Sequence, residues 1–390
     1  MAGKRSLLHA KEDLPSRQRR QPSVDVPFLL LVLLLLGVGL LMLYSASYAQ
    51  SEYDTGYTSS TKYLQKQAVC AMIGLVAMYF FSRIPVKAWE RLSWGVYGVS
   101  ILLLLSVLVI GQSVNGAKRW INIGGIQFQP SEIAKFSMIL LLARLTKKYG
   151  ENARNFRYGV LGFGFAMLGL LVPLALEKHL SAIMLMGMVG VVMMFVAGTS
   201  PKWLAAGAAA AAAFVLIYIS FMGYAGDRVT AWLHPEQDPG DTGYQILQSL
   251  YAIGSGGLFG LGFGKSKQKY LYLPFQYNDY IFAIICEELG LVGAVLIIAL
   301  FALTIARGYW IALRARDRFS TVLGAGLTTL IAVQTILNLG VVTNLLPSTG
   351  IALPFFSYGG TALAVNLGEM GLILSISRYR NQPKQQEELQ

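Results

Sequence analysis

Charge is what this sequence has least of. Only 13% of its 390 residues are Asp, Glu, Lys or Arg, about half the ~25% of ordinary soluble domains. A chain so poor in charge cannot clothe a globule in solvated side chains, so a soluble globular protein is excluded. Acids are scarcer than bases, 20 against 32. The two cysteines, Cys70 and Cys286, both lie in apolar runs, which excludes a disulfide framework and a zinc spacing. His9, His179 and His234 fall in three separate segments and argue against a histidine metal cluster. The first apolar run, from Phe28, has no small-residue cleavage site after it and reads as a helix that stays. No GKS or GKT of Walker type follows the glycine-rich segment, which argues against a nucleotide P-loop.

What the chain has instead is long apolar runs, with 55% hydrophobic residues. Runs of about 20 residues cross a hydrocarbon core about 30 Å thick. Ten such spans are predicted, at 28–48, 64–82, 92–111, 131–147, 158–176, 180–198, 203–222, 280–306, 319–344 and 360–378. The expected fold is an all-α polytopic membrane protein. With the N-terminus inside, 22 of the 32 basic residues fall on the cytoplasmic side, which is where positive loops stay. Both termini are therefore expected in the cytoplasm. The net charge of +12 is accounted for by that pattern and by anionic headgroups, without nucleic acid. Residues 1–25 read as a disordered basic cytosolic tail, 26–380 as one transmembrane domain and 381–390 as a second cytosolic tail.

Polar residues stand out against this background. The first helix ends in Tyr44, Ser45 and Ser47, read as an interfacial aromatic with helix-end serines. Lys118 and Arg119 sit on the short outer loop 112–130 beside Trp120, where basic residues need an anionic partner such as a lipid phosphate or pyrophosphate. Asn122 to Gly125 read as a tight turn. Glu132 and Lys135, three apart at the start of the fourth span, share a helix face and are expected to pair. Structural ion pair and substrate contact both remain open for them.

The longest hydrophilic region, 223–279, is expected outside, between the seventh and eighth helices. It holds Asp227, Arg228, Glu236, Asp238 and Asp241, then six glycines between Gly254 and Gly264. Those glycines suit either an anion-binding nest or a re-entrant, tightly packed segment. Lys265, Lys267 and Lys269 follow. In an extended backbone residues two apart share a face, so the three would form a cationic ridge. Asp279 then stands at the mouth of the eighth span. Either ridge and carboxylate serve an anionic substrate at the membrane surface, or they are a solvated lysine run and a helix cap. Glu287, Glu288 and Glu369 inside spans mark a polar route or buried partners. The last outer loop, from Asn344, has no charge, and its prolines and glycines suggest a rigid cover or cavity wall.

The motifs NGAKRW (115–120), QPSEIAKF (129–136), GYQILQSLYAIGSGGLFGLGFG (243–264), DYIFAIICEELG (279–290) and LPSTGIALPFFSYGG (346–360) resemble the SEDS family of shape, elongation, division and sporulation proteins. The resemblance spans nearly the whole chain. FGKSKQKYLYLP and the GYQ element are more similar to the division and sporulation branch, the FtsW and SpoVE type, than to the rod-elongation branch of RodA type. It implies a peptidoglycan glycosyltransferase that polymerises lipid II at the outer face of the bacterial cytoplasmic membrane. It also implies Asp279 as catalytic acid residue, and associates Arg119 and the Glu132/Lys135 pair with activity or lipid-substrate handling. A class B penicillin-binding transpeptidase and other divisome or sporulation proteins are the implied partners. Two departures stand out: LPFQYND where the family often has LPE ahead of the Asp, and EKHLSAI, from Glu177, where it often has QPDLGT.

Displacing a lipid pyrophosphate from an anomeric carbon in one step needs a base for the acceptor hydroxyl and positive charge for the leaving group. Asp279 suits the first task. Lys118, Arg119 and the Lys265, Lys267, Lys269 ridge suit the second. A divalent cation such as Mg²⁺ or Mn²⁺ could share it, although the sequence shows no dedicated cage. Two rivals stand beside the enzyme: a lipid II flippase or transporter, and a division scaffold that recruits a transpeptidase.

Overall fold

The structure is a computed structural model that describes residues 24–114, 117–123, 126–207, 209, 230–237 and 242–379. Most of the predicted span 203–222, the acids Asp227, Asp238 and Asp241, Arg228, the predicted C-terminal tail and the predicted N-terminal tail up to residue 23 lie outside the described residues. Ten α-helices are described: α1 (Val26–Asp54), α2 (Lys62–Arg83), α3 (Val86–Ile110), α4 (Pro130–Tyr149), α5 (Phe163–Leu176), α6 (Leu180–Val196), α7 (Thr242–Gly256), α8 (Ile281–Leu313), α9 (Arg318–Val342) and α10 (Gly360–Tyr379). A π-helical turn, Phe156–Gly162, leads into α5. Between α3 and α4 lie three short antiparallel strands in the order β1 (Gln112–Val114), β2 (Ala117–Ile123), β3 (Ile126–Phe128).

Among the described residues seven helical segments are long and apolar enough to cross a membrane, and α6 is a shorter apolar helix. The chain is a multi-pass membrane protein. Burial within the protein separates two kinds of helix. In α9 and α10, 78% and 72% of the apolar window is buried, against 28% in α2, α3 and α8. The first pair forms the centre, and the others turn Leu, Val, Ile and Phe outward because lipid accepts apolar side chains as readily as a core does. Small residues let backbones touch: a Cβ at Gly371 of α10 would lie 2.5 Å from the Met78 carbonyl oxygen of α2.

α1 starts where Asp25 accepts from the Phe28 amide at 3.1 Å, and Arg307 of α8 grips the same carboxylate through two nitrogens at 2.9 and 2.8 Å. Its other end runs to Asp54, so Ser45 and Ser47 are not helix-end residues. Both are buried. The loop 112–130, expected outside, is likewise not a plain loop: Ile123 pairs with Ile126 and Val114 with Ala117. The region 223–279, expected as a long hydrophilic connection, holds the helix α7; Ser249, fully buried, donates to the Val342 carbonyl of α9 at 2.9 Å.

Gly290, at φ +66, interrupts α8. The piece beyond it, to Leu313, is about 34 Å long at about 1.5 Å per residue, enough to span the hydrocarbon. The residues before it, Ile281–Glu288, are all buried. Into the break comes the glycine-rich segment that follows α7: the Leu261 and Gly262 amides donate to the Glu287 and Glu288 carbonyls at 2.9 and 3.0 Å, and the Leu291 and Val292 amides to the Gly257 and Leu258 carbonyls at 2.9 and 3.1 Å. Gly260 has φ +78, and a Cβ there would lie 2.2 Å from the Glu288 oxygen. Only glycine permits both that conformation and that approach. The glycines therefore let this segment pack closely against α8, to which the Gly262 amide donates.

The segment 265–275 is folded into turns, with Lys265, Lys267 and Gln268 each closing a backbone hydrogen bond. The expected ridge of three aligned lysines does not form. Lys265 and Lys267 are exposed, whereas Lys269 turns inward and is 2% exposed. Its ammonium lies 3.1 Å from Glu288 Oε1, 3.1 Å from Ser45 Oγ and 2.6 Å from the Gly264 carbonyl. Ser45 donates to the Glu288 carboxylate, at 2.6 and 2.8 Å from its two oxygens. Glu287 accepts from Ser266 Oγ and from the Lys267 and Gln268 amides at 2.9 and 3.3 Å. Breaking a buried ion pair by removing one partner costs about 3–5 kcal/mol. Glu288→Ala should therefore lower the unfolding temperature of the purified protein steeply, while Lys269→Met combined with Glu288→Leu should recover most of the loss. A wild-type unfolding temperature for the single variant would refute the structural role of the pair.

Candidate active site

Asp279 precedes α8 by two residues, and the knot just described fixes where that helix begins. The cap position of α8 is Tyr280, whose own side chain makes no capping hydrogen bond. Asp279 is half-buried, and its backbone carbonyl accepts from Asn338 Nδ2 of α9 at 2.7 Å. The same nitrogen donates to the Ile351 carbonyl at 2.8 Å, which joins the acid to the uncharged loop 344–359.

That loop closes over the acid. Gly350, at φ +68, leaves room where a Cβ would sit 3.3 Å from Asp279 Oδ2. Ser357 Oγ donates to the Asn278 carbonyl at 2.6 Å, and the Tyr358 amide to Tyr277 at 2.8 Å. Gln67 of α2, fully buried, bonds both the Ser357 carbonyl and the Gly359 amide at 3.1 and 3.2 Å. Tyr277 and Tyr358 stack with Tyr63, ring centroids 4.5 and 4.9 Å from it. Burial pushes the Tyr358 phenol up to about 12 and raises Tyr277 as well, so both stay protonated hydrogen-bonding groups at neutral pH. Within the LPFQYND departure, Phe275 stands where the family pattern often has a carboxylate and is 46% exposed, while Tyr277 provides the aromatic packing.

A second polar cluster lies under the strands. Arg119, on β2, donates through Nη2 to the Lys178 carbonyl at 2.5 Å. This brings it onto the α5–α6 turn, the EKH of the other departure. Lys178 adopts φ +54, which a proline at that place in the QPDLGT pattern cannot reach. The flanking Glu177 and His179 are 3% and 8% exposed. Burial pushes Glu177 up to about 7 against the opposing pull of Arg119. Burial likewise pushes His179 down to about 3, helped by the positive charges of Arg119 and Lys135. Glu177 Oε1 and His179 Nδ1 have no hydrogen-bond partner among the described residues. Buried polar atoms left so are normally satisfied by water, an ion or a ligand.

Glu132 and Lys135 pair at 2.7 Å, both buried, at the start of α4. The fully buried Glu369 of α10 lies within the reach of both charges. Lys118 is exposed on β2. Of the residues expected to contact substrate, the fold thus gathers Arg119 and the Glu132/Lys135 pair around the α5–α6 turn, keeps Lys118, Lys265 and Lys267 at the surface and buries Lys269. Gln67, Asn338, Glu177 and His179 were missed as site residues. Gln67 and Asn338 had a legible signal, an amide inside an apolar span. Among the described residues no three of His, Cys, Asp or Glu gather to hold a metal ion.

The chain's relatives bear on what this arrangement does. A family model described as Cell cycle protein, covering FtsW, RodA and SpoVE, matches residues 26–382. Stage V sporulation protein E of Bacillus subtilis is 38% identical over 364 residues, 92% of this chain and 98% of that one. A probable peptidoglycan glycosyltransferase FtsW of Geobacter metallireducens is 37% identical over 358 residues, 90% of this chain and 94% of that one. Among solved structures, a chain from a peptidoglycan synthase complex that coordinates polymerization and crosslinking superposes with TM-score 0.78 and 28% identity, covering 92% of this chain and 99% of that one. The rod shape determining protein RodA of Thermus thermophilus gives TM-score 0.69 at 27% identity, covering 92% and 98%. On sequence and fold alike, the chain belongs to the FtsW/RodA/SpoVE family of cell cycle proteins.

Proposed function

We propose that this chain, a peptidoglycan glycosyltransferase of the division and sporulation type, polymerises lipid II at the outer face of the bacterial cytoplasmic membrane with Asp279 as general base. The observation that carries the reading is the setting of Asp279: half-buried before α8, held through its backbone by Asn338 and covered by the loop at Gly350. Ten membrane spans with both termini cytoplasmic place this end outside, in line with the distribution of Lys and Arg. Residues 26–380 then work as one transmembrane catalytic domain.

In the reaction the acceptor hydroxyl gives its proton to the Asp279 carboxylate as its oxygen forms a bond to the donor's anomeric carbon. The bond from that carbon to the pyrophosphate oxygen breaks, and its electron pair leaves with undecaprenyl pyrophosphate. One displacement inverts the centre, so an α-linked donor yields a β-linked glycan. Arg119 and Lys118, with Lys265 and Lys267 nearby in sequence to Asp279, supply positive charge for the leaving pyrophosphate. Lys135, paired with Glu132, holds a further charge beneath Arg119. Lys269 serves the fold, its ammonium being committed to Glu288. A single-pass class B penicillin-binding transpeptidase is the fitting partner, because new strands need crosslinking where they emerge.

Asp279→Asn preserves shape and removes the base. Loss of a general base costs about 10²- to 10⁴-fold in rate, so the purified variant should bind lipid II and make almost no glycan; near-normal polymer on a gel would move the chemistry elsewhere. Arg119→Ala should insert normally and polymerise at least about tenfold more slowly, as expected for one lost charge-assisted contact. Unchanged lipid II affinity and turnover in that variant would remove Arg119 from the site.

A further inference from the structure

The same two helices that carry Lys118, Arg119, Glu132 and Lys135 at or near one end form a different feature at the other. Lys87, Glu90 and Arg91 from the start of α3, with Arg144 and Lys147 from the end of α4, line a cleft of about 250 Å³. We propose that this cleft is a binding site for a phosphate-bearing headgroup of an anionic lipid in the cytoplasmic leaflet. The inference rests on the orientation proposed above and not on the chemistry at Asp279.

Besides Lys87, three cations line the cleft with one carboxylate, and that carboxylate is already used, because Glu90 Oε2 lies 2.8 Å from Lys147 Nζ. Arg144 is fixed in place: its Nη1 donates to the Glu90 and Arg91 carbonyls at 2.9 and 3.3 Å and to Ser93 Oγ at 3.1 Å. Arg91 is exposed and has no ion-pair partner among the described residues. An anion entering the cleft therefore meets a guanidinium held by the fold and another free to close on it, the geometry that suits phosphate oxygens. The volume is below the roughly 300–1,000 Å³ of pockets that enclose a whole small molecule, and suits a headgroup. The α3 wall leads directly to lipid: Leu92 and Trp94 are 53% and 51% exposed, and tryptophan favours the interface between hydrocarbon and headgroups. A soluble anion or an acidic protein segment would gain nothing from that apolar wall. Basic pockets between helices on the cytoplasmic side are where anionic headgroups bind.

The test uses the full chain, with phosphatidylglycerol and phosphatidylcholine as probes, and reads lipid retained after detergent exchange by native mass spectrometry. Each basic residue near an anionic surface is worth roughly fivefold in binding. Arg91→Gln with Lys147→Gln should thus cut phosphatidylglycerol retention about 25-fold. Lys148→Gln with Arg154→Gln, the same charge change outside the cleft, should leave it within about twofold. Equal loss in both doubles, or loss in neither, overturns the site. Binding of inorganic phosphate that vanishes in the cleft double, with phosphatidylglycerol retention intact, overturns the lipid in favour of a soluble anion. A photocrosslinking residue at position 91 that captures protein and not lipid overturns it in favour of an acidic segment. Labelling of Lys148→Cys by a membrane-impermeant maleimide in intact cells would overturn the orientation itself, a failure distinct from the others.

Discussion

A carboxylate pair in the middle of an apolar helix is tolerable only if everything around it is arranged to satisfy it. Glu287 and Glu288 are 1% and 0% exposed, and an unpaired buried charge would neutralise or unfold its surroundings. Ser45 from α1, Ser266, Lys269 and three backbone amides converge on them. The glycine segment after α7 enters the break at Gly290 in the same place. This one requirement draws together the first helix, the outer loop and α8, and so determines where the chain emerges just before Asp279.

From that anchor the site is assembled by uncharged contacts. Asn338, Gln67, Ser357 and Gly350 hold the last outer loop against the residues around Asp279 without adding a formal charge. Arg119, Glu132 and Lys135 gather under β2 and at the start of α4.

The α5–α6 turn shows how a departure from a sequence pattern is absorbed. With lysine where the pattern has proline, the backbone takes φ +54 and its carbonyl accepts from Arg119. Glu177 and His179 are buried beside it. The turn thus keeps a connection to the strands while its own titratable groups change character through burial.

The membrane class was legible in the sequence, and nine of the ten predicted segments coincide with described helices, seven of them long and apolar enough to cross a membrane, because hydrocarbon thickness imposes a run length that composition reveals directly. The tenth lies mostly outside the described residues. The sequence also marked Asp279 and the Glu132/Lys135 pair, because charges within or at the edge of an apolar run are conspicuous. Only the tertiary structure decided which of three similar lysines serves the fold. Lys269 faces Glu288 while Lys265 and Lys267 face out, an outcome set by turns and by a carboxylate 19 residues away. The strands between α3 and α4, the helix within the outer loop and the breaking of α8 were equally out of reach. Each depends on backbone hydrogen bonds between segments distant in the chain, and hydropathy carries no information about which segments meet.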